Sequence, residues 1–170
     1  MQHAQTNHHG NDATLSTDPI AIEELHRELL KPRVEQLAQA MQEPNSRSAY
    51  LELAVAIDSL SVPLGLQERL ASVIELALGG GRIRREAGPA AEAALIALFK
   101  RTARGVELAA GLGSLNRAMA QLAGNEIESV TTALRAPGVY LMTLRTTAVQ
   151  LVIRFDRNGP EVESLEVGLG

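Results

Sequence analysis

Residues 136–167 read APGVYLMTLRTTAVQLVIRFDRNGPEVESLEV. Within this stretch, residues 139–145 and 148–156 are rich in the β-branched and aromatic residues that are typical of strands. Pro137-Gly138 is placed for a type II turn, and Asn158-Gly159 is the usual pair of a tight hairpin. Strand-like periodicity already begins at Glu126. Four short strands joined by tight turns predict an antiparallel β-meander over residues 125–170.

Residues 18–124 have the opposite pattern, because their apolar side chains recur at the 3.6-residue spacing of helices. Proline and glycine divide this region into four to five helices. Helices followed by strands are typical of the α+β class. A four-stranded meander is only marginally stable alone, so we expect it to pack on the last helices.

The helix boundaries follow from proline and glycine. Asp18-Pro19 predicts the start of the first helix, and Pro32 predicts a kink or a division into two short helices. Pro44 is expected to end that segment, so the second helix is placed over residues 47–60. The third helix should end at Gly79-Gly80-Gly81, and the fourth should begin after Gly88-Pro89.

The fifth helix carries the most regular apolar stripe in the sequence, at steps of 4, 3, 4 and 3 residues. Its members are Leu108, Leu112, Leu115, Met119 and Leu122. We expect this stripe to face the meander, with Leu115 and Met119 at the centre of the contact. Gly111 and Gly113 interrupt the helix, so packing must hold it.

Composition places the 170 residues in the globular class, with 45% hydrophobic and 21% charged residues. Residues 1–17 are almost wholly polar and predict a disordered tail, which leaves residues 18–170 as one folded unit. No apolar run is long enough for a membrane span, and the start of the chain lacks the features of a secretory signal. These observations predict a cytoplasmic protein.

Few residues are suited to catalysis. The chain has no cysteine, and His26 is the only histidine beyond the polar first 17 residues. The Glu23-x-x-His26 spacing is interpreted as exposed helix surface, since a di-iron site would need a second such motif and further glutamates. Ser114 follows no strand and lacks a nucleophile elbow. The sequence therefore predicts no catalytic residue, no metal site and no cofactor.

Charge is distributed unevenly along the chain. Residues 79–104 hold six basic and two acidic side chains, whereas the whole chain carries a net charge of −4. The candidate binding residues in this basic segment are Gly80, Gly81, Arg82, Arg84, Arg85, Lys100, Arg101 and Arg104. They could bind an anion or an acidic partner, because backbone amides and guanidinium groups suit oxyanions. The alternative is a helix end followed by a solvated basic loop.

The sequence leaves two function classes open. The first is a non-catalytic accessory or assembly protein that acts through contacts with a protein partner or with itself, and the exposed edge of a small sheet favours a homodimer. The alternative is a small-molecule or anion-binding domain, or an enzyme, with a pocket between the sheet and the helices. Nucleic acid is disfavoured, because the chain is acidic and has few aromatic residues for stacking.

Overall fold

The computed structural model describes residues 18–168. A pair of two-residue strands and four helices come first, then a fifth helix and a four-stranded sheet. The elements are β1 (Ile20–Ala21), α1 (Glu24–Ala40), α2 (Pro44–Asp58), β2 (Ser61–Val62), α3 (Leu64–Leu78), α4 (Arg82–Phe99), α5 (Ala103–Ala120), β3 (Ile127–Ala136), β4 (Val139–Thr146), β5 (Val149–Asp156) and β6 (Gly159–Val167). The α+β class and the C-terminal meander are confirmed. The predicted disordered tail, residues 1–17, lies outside the described residues.

The first helix begins later than the sequence predicted. Ile20 and Ala21 pair with Val62 and Ser61 as a short antiparallel ladder, and the amide of Ile22 donates to the carbonyl of Leu60 at 3.0 Å. Ile20 and Ile22 are buried in the helical core. Burying these two side chains holds the backbone extended, so the Asp18-Pro19 helix start is wrong.

His26 is buried, which corrects its interpretation as exposed helix surface. Its Nδ1 accepts a hydrogen bond from the Glu23 amide at 3.0 Å, and its Nε2 lies 3.2 Å from the carbonyl oxygen of Ala94. Since an amide N–H donates and a carbonyl oxygen accepts, the two ring nitrogens have opposite roles here, Nδ1 as acceptor and Nε2 as donor. His26 therefore caps the start of α1 and ties it to α4.

Pro32 does not divide the first helix, because α1 runs from Glu24 to Ala40 as one element. The flanking Leu30 and Val34 are fully buried, so tertiary packing compensates for the missing backbone donor. The Arg33 guanidinium also donates to the carbonyl of Leu29 at 2.6 Å in the same turn.

Pro44 begins the second helix instead of ending the first one. Glu43 is the N-cap, and its carboxylate accepts from the amides of Asn45 and Ser46 at 2.9 and 2.5 Å. Hydrogen bonds from the Ser46 side chain and from these two amides hold the pKa of Glu43 below its ordinary value. Proline fits the first helical position, where its missing amide proton is not needed.

The fourth helix is interrupted at Gly88, whose φ is 87°. The predicted helix after Gly88-Pro89 is present as the second part of α4. A short first part, starting at Arg82, was missed because the basic residues there were interpreted as a loop. Gly80 and Gly81 also have positive φ, which explains why the turn between α3 and α4 requires glycine.

Two hydrophobic clusters organise the described residues, and they share no member. The first is built from β1, β2 and α1–α4. The second joins α5 to the sheet through Leu115, Ala118, Leu122, Leu144, Val149, Leu151 and Ile153. The sequence divided one folded unit at residue 124, between α5 and the sheet, and the second cluster spans that position. No helix in the described range 18–168 combines the length and hydropathy that crossing a membrane requires.

Candidate interaction surface

The strand β3 is the first edge of the sheet, whose order is β3-β4-β5-β6. All ten of its residues are exposed, on both faces of the strand. It pairs with β4 along one side, and no described residue pairs with its other side. One row of backbone amide and carbonyl groups is therefore open along the full length of β3.

Four apolar side chains lie on the helix-side face of β3 and β4. Cross-strand register places Val130 opposite Leu144 and Leu134 opposite Tyr140, on the same face as the buried Leu151. Yet Val130 is 54% exposed, Leu134 66% and Tyr140 53%. Together with Ile127, these residues are called the open sheet face. An uncovered face of this kind is typical of a contact site.

The helix α5 leaves this face open because it lies over the other edge of the sheet. It packs on β6 and β5, and a Cβ placed on Gly111 would be 3.3 Å from the carbonyl oxygen of Pro160. Ala118 is buried beside Leu115. The small residues Gly111 and Ala118 allow this close approach of α5 to the sheet.

The predicted stripe is therefore only partly correct. Leu115 and Leu122 are buried, but Leu112 and Met119 remain 47% and 44% exposed. Met119 is not an anchor of the contact, and Ala118 takes that place. Glu107 and Ser114 line a cleft beside β6. Leu112 and Met119 follow them by five residues each, about 140° around the helix, so they lie on a different side of α5 from the cleft.

The opposite face of the sheet carries most of its charged side chains, and several of them are paired. Arg154 forms ion pairs with Asp156 and Glu161, and its Nε lies 3.9 Å from a Glu163 oxygen. Arg135 on β3 donates to Glu163 on β6 at 2.6 Å. These charged pairs occupy the face away from α5, whereas the exposed large apolar side chains of β3 lie on the helix-side face.

A cleft of about 410 Å³ lies between α5 and the β5–β6 turn. The alternative hypothesis from the sequence, a ligand-binding domain or enzyme, predicted a pocket between the sheet and the helices, as this cleft is. Two of its three carboxylates are already engaged, because Asp156 and Glu161 pair with Arg154 and the Asn158 backbone amide donates to Asp156 at 2.6 Å. The Ser114 hydroxyl accepts from Arg117. Among residues 18–168 no group of three or more acidic or histidine side chains is arranged to hold a metal ion.

The arginines of the predicted basic loop contact groups close to them in the chain. Arg82 pairs with Glu86 at 2.6 Å, Arg84 pairs with Glu92 at 3.3 Å, and Arg85 donates to the carbonyl of Gly80 at 2.8 Å. The hydrogen bond from Arg82 holds the pKa of Glu86 below its ordinary value and raises the pKa of the guanidinium. Each of these arginines thus has an internal partner.

The remaining basic candidates are placed differently. Arg104 pairs with Glu75 on α3 at 3.1 Å and donates to the carbonyl of Arg157 at 2.9 Å, so it ties the helical core to the β5–β6 turn. Lys100 and Arg101 are exposed, and neither makes an ion pair in the part of the chain that the structure describes. Within the described residues, no hydrogen bond joins Lys100 or Arg101 to Arg82, Arg84 or Arg85.

Comparison with protein families, curated proteins and solved structures finds no match. The function is therefore inferred from the surface itself. The sequence predicted an edge but did not single out Ile127, Val130 or Leu134. Val130 and Leu134 share one face by strand alternation, which was the available signal, whereas Ile127 joins that face only through the register shift between Ile127 and Ser129.

Proposed function

We propose that this chain is a non-catalytic assembly protein that binds another protein chain through the open sheet face. The observation that carries the proposal is that all ten residues of β3 are exposed, in an edge strand with apolar side chains on one face. Natural proteins protect such edges with proline, charge or a covering helix, since a bare apolar edge pairs with other chains. The cytoplasmic location predicted from the sequence stays part of this proposal.

The other edge strand of the same sheet provides the contrast. β6 begins at Gly159-Pro160, carries Glu161, Glu163 and Glu166, and is covered by α5. These are the usual protections of an edge, and β3 has none of them within its apolar centre. The difference favours β3 as the contact strand. It also favours a protein partner over a small ligand, because two of the three carboxylates that line the cleft beside β6 are already paired with Arg154.

The test replaces Leu134 by lysine and compares the variant with Val167→Lys. Both side chains are 66% exposed, and both lie on the helix-side face, at opposite edges of the sheet. Because neither is buried, we expect both variants to fold with unchanged circular dichroism. A lysine on β3 should abolish binding, since it places a charge in the contact.

Binding is measured by sedimentation of the purified chain and by retention of proteins from a cell extract on immobilised chain. Wild-type protein and Val167→Lys should behave alike, and Leu134→Lys should lose the association or the retained protein. Identical behaviour of all three proteins in both measurements would refute a function at the open sheet face.

A further inference from the structure

The edge strand β3 is self-complementary about its own centre. In an antiparallel pair of strands, residues directly opposite each other point to the same face. If Thr132 lies on a two-fold axis, Val130 lies opposite Leu134 of the second copy, and the same pair recurs on the other side of the axis. Centring the pair on Thr131 would instead place Leu134 opposite Glu128, which removes the apolar match.

The charges at the two ends of β3 favour the same arrangement. Glu128 pairs with Arg145, and Arg135 pairs with Glu163, so both lie on the polar face of the sheet. Antiparallel pairing about Thr132 brings Glu128 within one position of Arg135 of the second copy, once at each end. Such exposed pairs add little affinity but select orientation and register.

The second edge strand does not have this property. Two copies of β6 would bring three glutamates of one strand against three of the other, and like charges on neighbouring strands oppose pairing. Pairing of β3 with β6 is head-to-tail and would give open-ended assemblies instead of a closed dimer.

We infer that the occupant of the open sheet face is a second copy of this chain, joined through β3 in an antiparallel pair centred on Thr132. The pairing forms one continuous eight-stranded sheet. It also brings the Val130 and Leu134 side chains of the two copies into contact on the helix-side face. This inference rests on the proposed function and names its partner.

A single cysteine tests the register, because the chain has none of its own. In the inferred dimer the two Thr132 Cα atoms are about 4.5–5.5 Å apart, within the range that a disulfide spans. We therefore expect Thr132→Cys to form a covalent dimer under mild oxidation, seen on a non-reducing gel. Ser129→Cys is the matched control on the same exposed strand, since its two copies would be about 20 Å apart.

The covalent dimer should be the main product for Thr132→Cys and should be absent for Ser129→Cys. It should also be lost when Leu134→Lys is added to Thr132→Cys. Equal cross-linking at positions 129 and 132 would show random collision and overturn the inference, as would assemblies larger than a dimer in sedimentation. If the chain is monomeric and Thr132→Cys stays uncross-linked, self-pairing is wrong. In that case the proposed function fails only if immobilised Leu134→Lys also retains the same proteins from the cell extract as the wild-type chain.

Discussion

Replacing Gly105 by alanine should destabilise this protein strongly. Gly105 is buried in the first turn of α5, and a Cβ built on it would lie 2.0 Å from the carbonyl oxygen of Phe99. The same atom would lie 2.7 Å from the Cα of Lys100. Both neighbours are backbone atoms, so no side chain can rotate away and the connection between α4 and α5 must shift.

That shift would also disturb the cap of α5. The Thr102 hydroxyl accepts from the Gly105 amide at 3.1 Å and donates to the Phe99 carbonyl at 2.7 Å. Overpacking typically costs about 1–3 kcal/mol, and loss of an N-cap adds about 1 kcal/mol. We therefore expect Gly105→Ala to lower the free energy of unfolding, measured in urea, by about 3 kcal/mol or more.

Gly113→Ala is the control in the same helix. Its nearest neighbour would be the Arg117 guanidinium at 3.5 Å, an ordinary contact. Alanine is the better helix former, so this variant should raise the free energy of unfolding by about 0.5–1 kcal/mol. Opposite signs for two identical substitutions in one helix are the expected result. A nearly neutral Gly105→Ala would contradict the close approach of α4 and α5.

The C-terminal meander was predictable because its information is local. Turn residues at 137–138 and 158–159, with alternating apolar residues between them, specify both the strands and their antiparallel order. The structure places β4 and β5 within one residue of the predicted strands. The boundaries of the N-terminal helices were harder to predict, because a proline such as Pro44 either ends a helix or begins one. Here the Glu43 carboxylate caps the amides that follow Pro44, so Pro44 begins a helix.

The candidate surface could be predicted only in part, for two physical reasons. Periodicity identifies the apolar face of an element but not the area that its neighbour covers. The position of α5 depends on Gly111 and Ala118, whose small size counts for little in an apolar stripe. In addition, a run of basic residues does not reveal its distant partners. Glu75 lies 29 residues before Arg104 and pairs with it nonetheless.

Truncating Leu151 to alanine should destabilise the sheet while leaving the helical core intact. Leu151 is fully buried at the centre of the cluster that joins α5 to the sheet, and removal of a buried leucine typically costs about 2–5 kcal/mol. Because the two clusters share no residue, the lost contacts belong to α5 and β3–β6 alone. Amide hydrogen exchange should therefore accelerate in the sheet more than in α1–α4.

Met119→Ala is the control for Leu151→Ala. It also removes apolar side-chain atoms, but Met119 is 44% exposed and lies outside the cluster. Its effect on the free energy of unfolding should stay below about 1 kcal/mol. If Leu151→Ala accelerated exchange equally in both parts, the ties made by Arg104 and the Thr102 cap would couple them into one cooperative unit. If Met119→Ala were as damaging as Leu151→Ala, α5 would cover β3 and β4 after all. The open sheet face would then not exist in solution.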